Sequence, residues 1–531
     1  MIGARSRYNC VRNCVRSPNS GESDLRRDTA DSVIGHIFRR SSPSLPIVLV
    51  LALTGLYVAV APSMTPITPF DLYNDKRLLQ VGILLVAAGT LLASSQTRRR
   101  WLCAFQCLPP LACFGLCTVL GLGLVSAALA PDPGYAFLEV GHFVLLFALV
   151  GIVAAAVRRA PEYTEALLLG AVVLSAGLYA VHFGVSYGLS VAWPALEVGR
   201  ETISGFANIR HFNQYQTWTL PLLGGAVLAL PRRWRVARGG VFGLVALWWT
   251  LVLASNVRGT MVAMALASVI IWVLFRQASH RWLGVQGLAL LAGGGLYVVL
   301  FSLMGGATPE VADRLAEEGG YAWRLQRWTT CLEMVSAHPW LGAGPMHFAW
   351  APFRIAPGAH PHNAVLQWVA EWGMLSTLIM GGLATWGGGR WLGQEMGEAS
   401  SATPRSNAVR IGLVAAVLAG AAHAMVSGLL IMPVSQIFLA LIGGWAWGRY
   451  QHDRASPTVP SRSARLVLCV VLIGAIGIVG ERSLRDLSTV EERQSAFMEA
   501  TDRLGFSPRY WQQGYIGVRD SSVIERARRD Q

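Results

Sequence analysis

Long apolar stretches separated by short polar segments recur along most of this chain. Each stretch is close to the roughly 17–25 residues that an α-helix needs to cross a bilayer. The stretches lack the regular alternation of polar and apolar positions that is typical of membrane-spanning strands. The pattern predicts about thirteen spans, near 46–64, 78–95, 108–130, 136–157, 164–186, 213–230, 239–255, 259–275, 283–304, 363–388, 409–428, 432–449 and 465–480.

The fold class that follows is an all-α polytopic membrane protein of about 12–13 transmembrane helices. The composition supports this class, because 53% of the 531 residues are hydrophobic and only 14% are charged. We divide the chain into a disordered leader, two groups of transmembrane helices around one large loop, and a polar tail. Their ranges are 1–45 for the leader, 46–304 for helices one to nine, 305–362 for the loop, 363–480 for the remaining helices and 481–531 for the tail.

The net charge of +14 is concentrated in alternate loops. This is the asymmetry of membrane proteins whose basic loops stay in the cytoplasm. It predicts that the leader and these loops are cytoplasmic, and that the charge is a topology signal rather than a nucleic-acid-binding patch. The basic loops contain Arg98, Arg99 and Arg100, then Arg158 and Arg159, then Arg232, Arg233, Arg235 and Arg238, then Arg276 and Arg281, and finally Arg449, Arg454, Arg462 and Arg465.

With the leader inside, the loop 305–362 lies on the outer face of the membrane. It is the only large polar insertion between spans, and it contains two predicted amphipathic helices, Pro309–Glu318 and Ala322–Ala337. Long structured loops in compact proteins are usually functional. The same count of spans places the tail 481–531 on the outer face.

The stretch HPHNAVLQWVAEWGMLS, residues 360–376, joins this loop to the tenth span. A helix that begins at Pro361 would hold His362 in its first turn, where the helix dipole disfavours a charged imidazole. A neutral imidazole can accept a proton, as a general base must. Gly373 and Ser376 return to nearly the same helix face, and we expect their small size to let another helix approach closely.

Four motifs together resemble the O-antigen ligase and polymerase superfamily. His362-Asn363, nine further residues and Gly373-x-x-Ser376 resemble its H-N-x9-G-x-x-G signature, with serine in place of the last glycine. RLQRWTTCLEMVSAHPWLGAGPMHF resembles the R…W…P-x-x-G-x-G…F segment of the large loop. NVRGTMVA resembles its short R-G loop, and GFANIRHFNQYQTWTLPLL the entry to an earlier span.

The resemblance implies a metal-independent, inverting membrane glycosyltransferase without a cofactor. Its donor would be an undecaprenyl-pyrophosphate-linked glycan, and its acceptor a hydroxyl of lipid A–core on the periplasmic face of the bacterial inner membrane. The loop 305–362 and the tail 481–531 would then be periplasmic, and membrane lipids would be partners. His362 matches the family's base, and the expected substrate-binding residues are Arg258, Arg210, Arg324, Arg327 and Asn363. Guanidinium groups suit this task because they grip phosphate oxygens in pairs and offset the charge that a leaving pyrophosphate gathers.

Simpler interpretations of these residues stay open. His362 could be a polar cap at the membrane surface, Arg258 could only extend to lipid headgroups, and Arg324 with Arg327 could form a solvated helix face. His360 and His362 could chelate zinc, but no third ligand follows at helical spacing.

Other functions stay open as well. The alternatives are a polymerase, which extends the glycan on its own carrier, and a protein O-oligosaccharyltransferase, which uses a pilin or another periplasmic protein as acceptor. A transporter of lipid-linked sugars is disfavoured, because such proteins carry charges within their spans. Here only Glu139 and Glu371 stand out, and Glu371 is expected to pair with a neighbouring span.

Overall fold

The computed structural model describes residues 43–68, 71–193, 198–199, 202–304, 319–350, 358–400, 402–452, 459–501 and 508–517. Almost all of the predicted leader, and the predicted helix Pro309–Glu318, lie outside these residues. The described residues form sixteen α-helices and no strand, which confirms the all-α fold class. A single isolated backbone bridge joins Trp350 to Ile516.

We number the helices in chain order. They are α1 Leu45–Val60, α2 Leu72–Ala93, α3 Ser95–Gln106, α4 Pro110–Leu129, α5 Pro133–Arg159, α6 Pro161–Ala192, α7 Ile209–Ala229, α8 Arg235–Ser255, α9 Arg258–Phe275, α10 His280–Tyr297, α11 Gly319–Ala337, α12 Ala364–Ala399, α13 Pro404–Ala424, α14 Pro433–Tyr450, α15 Arg462–Leu487 and α16 Val490–Thr501. A π-helical turn, Val298–Leu303, extends α10.

Each of the thirteen predicted spans overlaps a helix. Within the described part of the chain, nine helical stretches are long and apolar enough to cross a membrane, and one of them, Arg258–Leu303, contains both α9 and α10. Helix α7 does not reach that hydropathy, because its first half carries a run of buried polar side chains such as Asn213, Gln216 and Thr217. The protein is therefore an all-α polytopic membrane protein whose interior is partly polar.

Helices α5 and α7 form the interior. Both are buried along nearly their whole length, α5 against α2, α14 and α15, and α7 against α8 and α13. Small residues permit the closest of these contacts: a Cβ atom built on Gly225 would lie 2.8 Å from the carbonyl oxygen of Ala408 on α13. Close approach at small residues is the usual way in which helices associate without help from water.

Helix α12 is broken at Gly373, whose backbone has φ 79° and ψ 168°. The loop that follows α11 lies across the break: the amide of Met374 donates to the carbonyl of Pro339 at 2.9 Å, and the amide of Ala343 donates to the carbonyl of Ala370 at 2.9 Å. A side chain on Gly373 would overlap the carbonyl of Trp340. The expectation that Gly373 receives another helix is therefore wrong, since it receives the backbone of the loop.

The chain after α15 turns back toward this loop. Helix α16 follows α15 after two residues, and the segment 508–517 then packs on the loop, where the amide of Ile516 donates to the carbonyl of Ala349 at 2.9 Å. Arg509, Tyr510 and Trp511 are all buried. The described segment 508–517 is consequently not a detached polar appendage, and it lies at the same end of the helices as His362.

Candidate active site

His362 precedes helix α12 rather than lying in its first turn. The helix begins at Ala364, because the side-chain oxygen of Asn363 accepts hydrogen bonds from the amides of Val365 and Leu366 at 3.1 and 2.9 Å. Asparagine is among the best residues for capping a helix in this way. The predicted start at Pro361 is therefore wrong, and the side-chain oxygen of Asn363, an expected substrate ligand, holds the helix start.

The backbone of His362 is left-handed, with φ 57°. Residues other than glycine rarely adopt this conformation, and such residues are concentrated at functional sites. His362 is half-buried, and its ring centroid lies 4.0 Å from that of His360, which is only 4% exposed. The left-handed turn thus places two imidazoles side by side just before the start of α12.

The surroundings of His362 keep its imidazole neutral. Burial, then His360, and then the positive charges of Arg327, Arg210 and Arg324 hold the pKa of His362 well below its usual range. The sequence predicts that the α12 dipole also disfavours the charged form. Burial and these four neighbours lower the pKa in the same direction.

Three of the predicted arginines converge on His362. Arg210 is the second residue of α7, and Arg324 and Arg327 lie one helical turn apart on α11. Arg210 and Arg324 are exposed, whereas Arg327 is buried against Gly358. Burial, followed by the charges of Arg210 and Arg324, lowers the pKa of Arg327 to about 10, against an opposing contribution from Tyr515. A buried guanidinium next to two further cations is the kind of positively charged surface that attracts an anionic group.

Arg258, on a different helix, lies at the same end of the helices as Arg210. It is the exposed first residue of α9, two residues after the left-handed Asn256. The next residue, Gly259, lies against the imidazole of His423 on α13, where a Cβ atom would be 2.6 Å from Nε2. Nδ1 of His423 is 2.7 Å from Oγ1 of Thr217 on α7. Arg258 is therefore held at the edge of the α7–α9–α13 contact, at the end of the helices that carries Arg210.

A cluster of buried charges below this region was missed by sequence reasoning. Nη2 of Arg509 donates to both oxygens of Glu139, each at 2.8 Å, and to Oε2 of Glu371 at 2.6 Å. Glu371 also accepts from the amide of Phe348 at 3.1 Å. The prediction that Glu371 pairs with a neighbouring span is wrong, because its partner is an arginine from the C-terminal tail.

Arg77 of α2 forms hydrogen bonds next to the same cluster. Its Nε donates to the carbonyl of Tyr510 at 2.9 Å, and its Nη1 donates to Oε1 of Gln436 at 2.6 Å. The cavity next to these residues has a volume of about 30 Å³. That volume holds about two water molecules and is too small for a sugar. The cluster therefore positions the tail, the loop and α12, and it is not a substrate pocket.

The sequence contained part of the signal for this cluster. Glu139 and Glu371 stood out as carboxylates within spans, and a buried carboxylate requires a partner. The partner, Arg509, lies in a polar tail with many arginines, where nothing distinguishes it. In the part of the chain that the structure describes, no three His, Cys, Asp or Glu side chains come together as a metal-binding group.

Comparison with known proteins identifies a family that matches this region. Residues 241–381 match the family model described as O-Antigen ligase. The matched segment extends from α8 to the middle of α12, so it includes Arg258, Arg324, Arg327, His362 and Asn363, while Arg210 precedes it. No curated protein was found to match the chain.

Proposed function

We propose that this chain, whose residues 241–381 carry an O-antigen ligase domain of the O-antigen ligase-like superfamily, is an O-antigen ligase. The family consists of glycosyltransferase-like enzymes, which use in general a lipid-linked glycan donor and an acceptor. In our proposal the donor is an undecaprenyl-pyrophosphate-linked O-antigen or oligosaccharide. The acceptor is a hydroxyl of lipid A–core, and the reaction takes place on the periplasmic face of the bacterial inner membrane.

The observation that supports this proposal best is the environment of His362. A neutral imidazole, which can accept a proton, lies beside the cations Arg210, Arg324 and Arg327, which can bind a phosphate. Glycosyl transfer from a pyrophosphate requires a base for the acceptor hydroxyl next to cations that bind the pyrophosphate. The alternative of a capping role is weakened, because it is Asn363 that caps α12.

The proposed step is a single displacement. His362 removes the proton from the acceptor hydroxyl as its oxygen forms a bond to the anomeric carbon of the donor sugar. The bond from that carbon to the pyrophosphate oxygen breaks, and the pyrophosphate leaves with the electron pair on its lipid carrier. The arginines stabilise the negative charge that develops there. One displacement inverts the anomeric carbon, and no metal is needed to hold the leaving group.

The charge distribution supports the proposed orientation. Arg98, Arg99 and Arg100 follow the start of α3, at the end of α2 away from Arg77 and the tail. Basic loops remain in the cytoplasm, so the opposite end, which contains His362 and the loop 319–350, faces the periplasm in our proposal. The segment 508–517 packs on that loop and is placed on the same side.

The first test replaces His362. We expect His362→Ala to lower transfer from purified undecaprenyl-pyrophosphate glycan by about 10²–10⁴-fold, the usual effect of removing a general base. His362→Asn should be equally inactive, and because asparagine adopts the left-handed conformation readily it separates lost chemistry from a distorted turn. His338→Ala, at an exposed histidine that follows α11, is the matched control. Near-normal transfer by both His362 variants would contradict the assignment of the base.

The acceptor is tested in a deletion strain, by a lipopolysaccharide gel together with a glycoprotein stain. Loss of a ligase leaves core without a ladder, while carrier-linked polymer accumulates. Loss of a polymerase leaves one repeat on the core, and loss of a protein O-oligosaccharyltransferase changes only the protein stain. Either of the last two outcomes would replace lipid A–core ligation as the function.

The second residue to test is Arg258. If its guanidinium binds two pyrophosphate oxygens, Arg258→Lys should lose most of the transfer activity, because lysine offers only a compact charge. If Arg258 only extends to headgroups, the lysine variant should keep full activity, since lysine does this equally well. Arg235→Lys, at the exposed start of α8 on the opposite side, is the control. Activity is compared at equal amounts of folded protein.

A further inference from the structure

A large cavity lies at the end of the helices that is farthest from His362. Helix α7 begins beside the candidate site and ends at this cavity, whereas α8 and α13 begin at the cavity and end beside the site. Its volume is about 720 Å³, which is within the roughly 300–1,000 Å³ of ordinary ligand pockets. It is lined by the end of α7, the starts of α8, α10 and α13, and the turns that precede them.

The polar lining of this cavity is strongly basic. Four arginines line it, and no aspartate or glutamate is found among its described lining residues. Arg238 is fixed by a hydrogen bond of 3.1 Å from its Nε to the carbonyl of Val227. The other three, Arg232, Arg281 and Arg405, are exposed and form no hydrogen bond or ion pair with the residues that the structure describes.

Two other arginines at this end of the molecule are paired with carboxylates. Arg410, on the same helix as Arg405, is paired with Glu395 at 2.6 Å and with Glu398 at 2.7 Å. Arg449 is paired with Glu165 and Glu395, at 2.6 and 2.9 Å. Arg410 and Arg449 thus have acidic partners, whereas the four arginines that line the cavity have none among the described residues. A positive-inside signal requires arginines in these loops, but it does not require four of them to converge on one cavity.

The walls of the cavity show what kind of anion it suits. Apolar side chains, Leu228, Leu230, Trp282 and Ile411 among them, form the part between the helices. Trp234 and Trp272, on segments next to the cavity, are 52% and 57% exposed, as is typical of tryptophans at the level of lipid headgroups. The basic rim and the apolar wall thus match a molecule that has an anionic end and a hydrocarbon end.

We propose that this cavity binds the headgroup of an anionic phospholipid, with its phosphodiester on Arg232, Arg281 and Arg405 and the start of its acyl chains along the apolar wall. The shared chemistry of possible ligands is a phosphate oxyanion, which guanidinium groups bind well. A free phosphate would bind the arginines but would make no contact with the apolar wall. Basic pockets between helices on the cytoplasmic side are known to suit lipid headgroups. A lipid there ties α7 and α8 to α10 and α13.

The test uses the purified full-length protein in detergent. Phosphatidylglycerol, cardiolipin, phosphatidylcholine or inorganic phosphate is added, and the thermal midpoint of unfolding and the lipids retained in native mass spectrometry are measured. The variant is Arg281→Gln with Arg405→Gln. The matched control is Arg462→Gln with Arg465→Gln, which removes the same charge from two exposed arginines at the start of α15, outside the cavity.

We expect the two anionic lipids to raise the midpoint of the wild type and of the control by several degrees, and phosphatidylcholine and inorganic phosphate to leave it unchanged. The cavity variant should bind the anionic lipids at least tenfold more weakly. Equal binding by the cavity variant and the control would overturn the proposal, and an equal response to inorganic phosphate would overturn the lipid as the ligand. If the double variant has a lower midpoint before any lipid is added, Arg405→Gln alone, at an exposed residue in the first turn of α13, decides in the same way.

Discussion

Arg509 offers the sharpest test of the structure, because it is the only cation that directly contacts both buried carboxylates among the described residues. It is 2% exposed, Glu139 is 8% exposed and Glu371 is 1% exposed. Burial lowers the pKa of Arg509, but the two carboxylates outweigh that effect and raise it above its usual value. Arg509 therefore stays charged, and the charge stays between Glu139 and Glu371.

Replacing Arg509 by methionine keeps the volume and removes the charge. Two carboxylates that now share one guanidinium nitrogen, at 2.8 and 2.6 Å, would face each other in the interior without an ion-pair partner. Breaking a buried ion pair by removing one partner typically costs about 3–5 kcal/mol, and this change leaves two carboxylates unpaired. We therefore expect Arg509→Met to lower the free energy of unfolding by at least about 3 kcal/mol.

Unfolding is measured in mixed micelles as the fraction of the denaturing detergent is raised, and it is monitored by tryptophan fluorescence. Arg485→Met is the control, since Arg485 forms an exposed ion pair with Glu481 at 3.2 Å and such pairs contribute less than about 1 kcal/mol. Adding Glu139→Gln and Glu371→Gln to Arg509→Met should restore most of the stability, because no buried charge is then left unpaired. A loss of less than about 1 kcal/mol in Arg509→Met, or no recovery in the triple variant, would refute the electrostatic reasoning.

Three further results are expected. Because the pKa of His362 is held well below its usual range, transfer activity should stay level between pH 8 and 6. An ordinary histidine is about half protonated near pH 6.5 and would lose activity there. A fall in the transfer rate centred near pH 6.5 would contradict this prediction. The unfolded chain binds protons that folded His347, His360 and His362 do not, so the free energy of unfolding should decrease as the pH falls below about 6.5. Gly373→Ala should lower the free energy of unfolding by at least about 1–3 kcal/mol, because φ is 79° and the added atom overlaps the carbonyl of Trp340. Gly381→Ala on the same helix, with open space around it, should be nearly neutral. Equal midpoints of thermal unfolding for the two variants would contradict the role of the break.

The helices could be predicted from the sequence because the bilayer imposes one simple rule on every span. A stretch of about 20 apolar residues has few alternatives to a helix in a membrane, so each predicted span overlaps an observed helix. The break in α12 could not be predicted in this way. The periodicity of its residues continues across Gly373, and only the loop backbone that packs there shows why the helix is interrupted.

The candidate site was predictable to the extent that its residues lie in local motifs. His362 and Asn363 adjoin in sequence, and Arg324 and Arg327 are one helical turn apart, so their proximity follows from spacing alone. The meeting of Arg210 with Arg327, and of Gly259 with His423, depends on how α7, α9, α11 and α13 pack. Packing between distant segments leaves no periodic signal, and for this reason His423 and Thr217 were missed.

The tail shows most clearly why charge content alone was a poor guide. A segment with many charged residues and little apolar content is expected to stay in water, and 481–531 has this composition. Yet Arg509 is needed inside, because Glu139 and Glu371 are buried and neither can be left without a cation. Two carboxylates within spans are thus evidence for an arginine elsewhere in the chain, and the search for it should include segments outside the spans. On that reasoning the segment 508–517 of the polar tail is a structural part of the membrane domain, which holds the loop and α12 in the arrangement that brings His362 to the arginines.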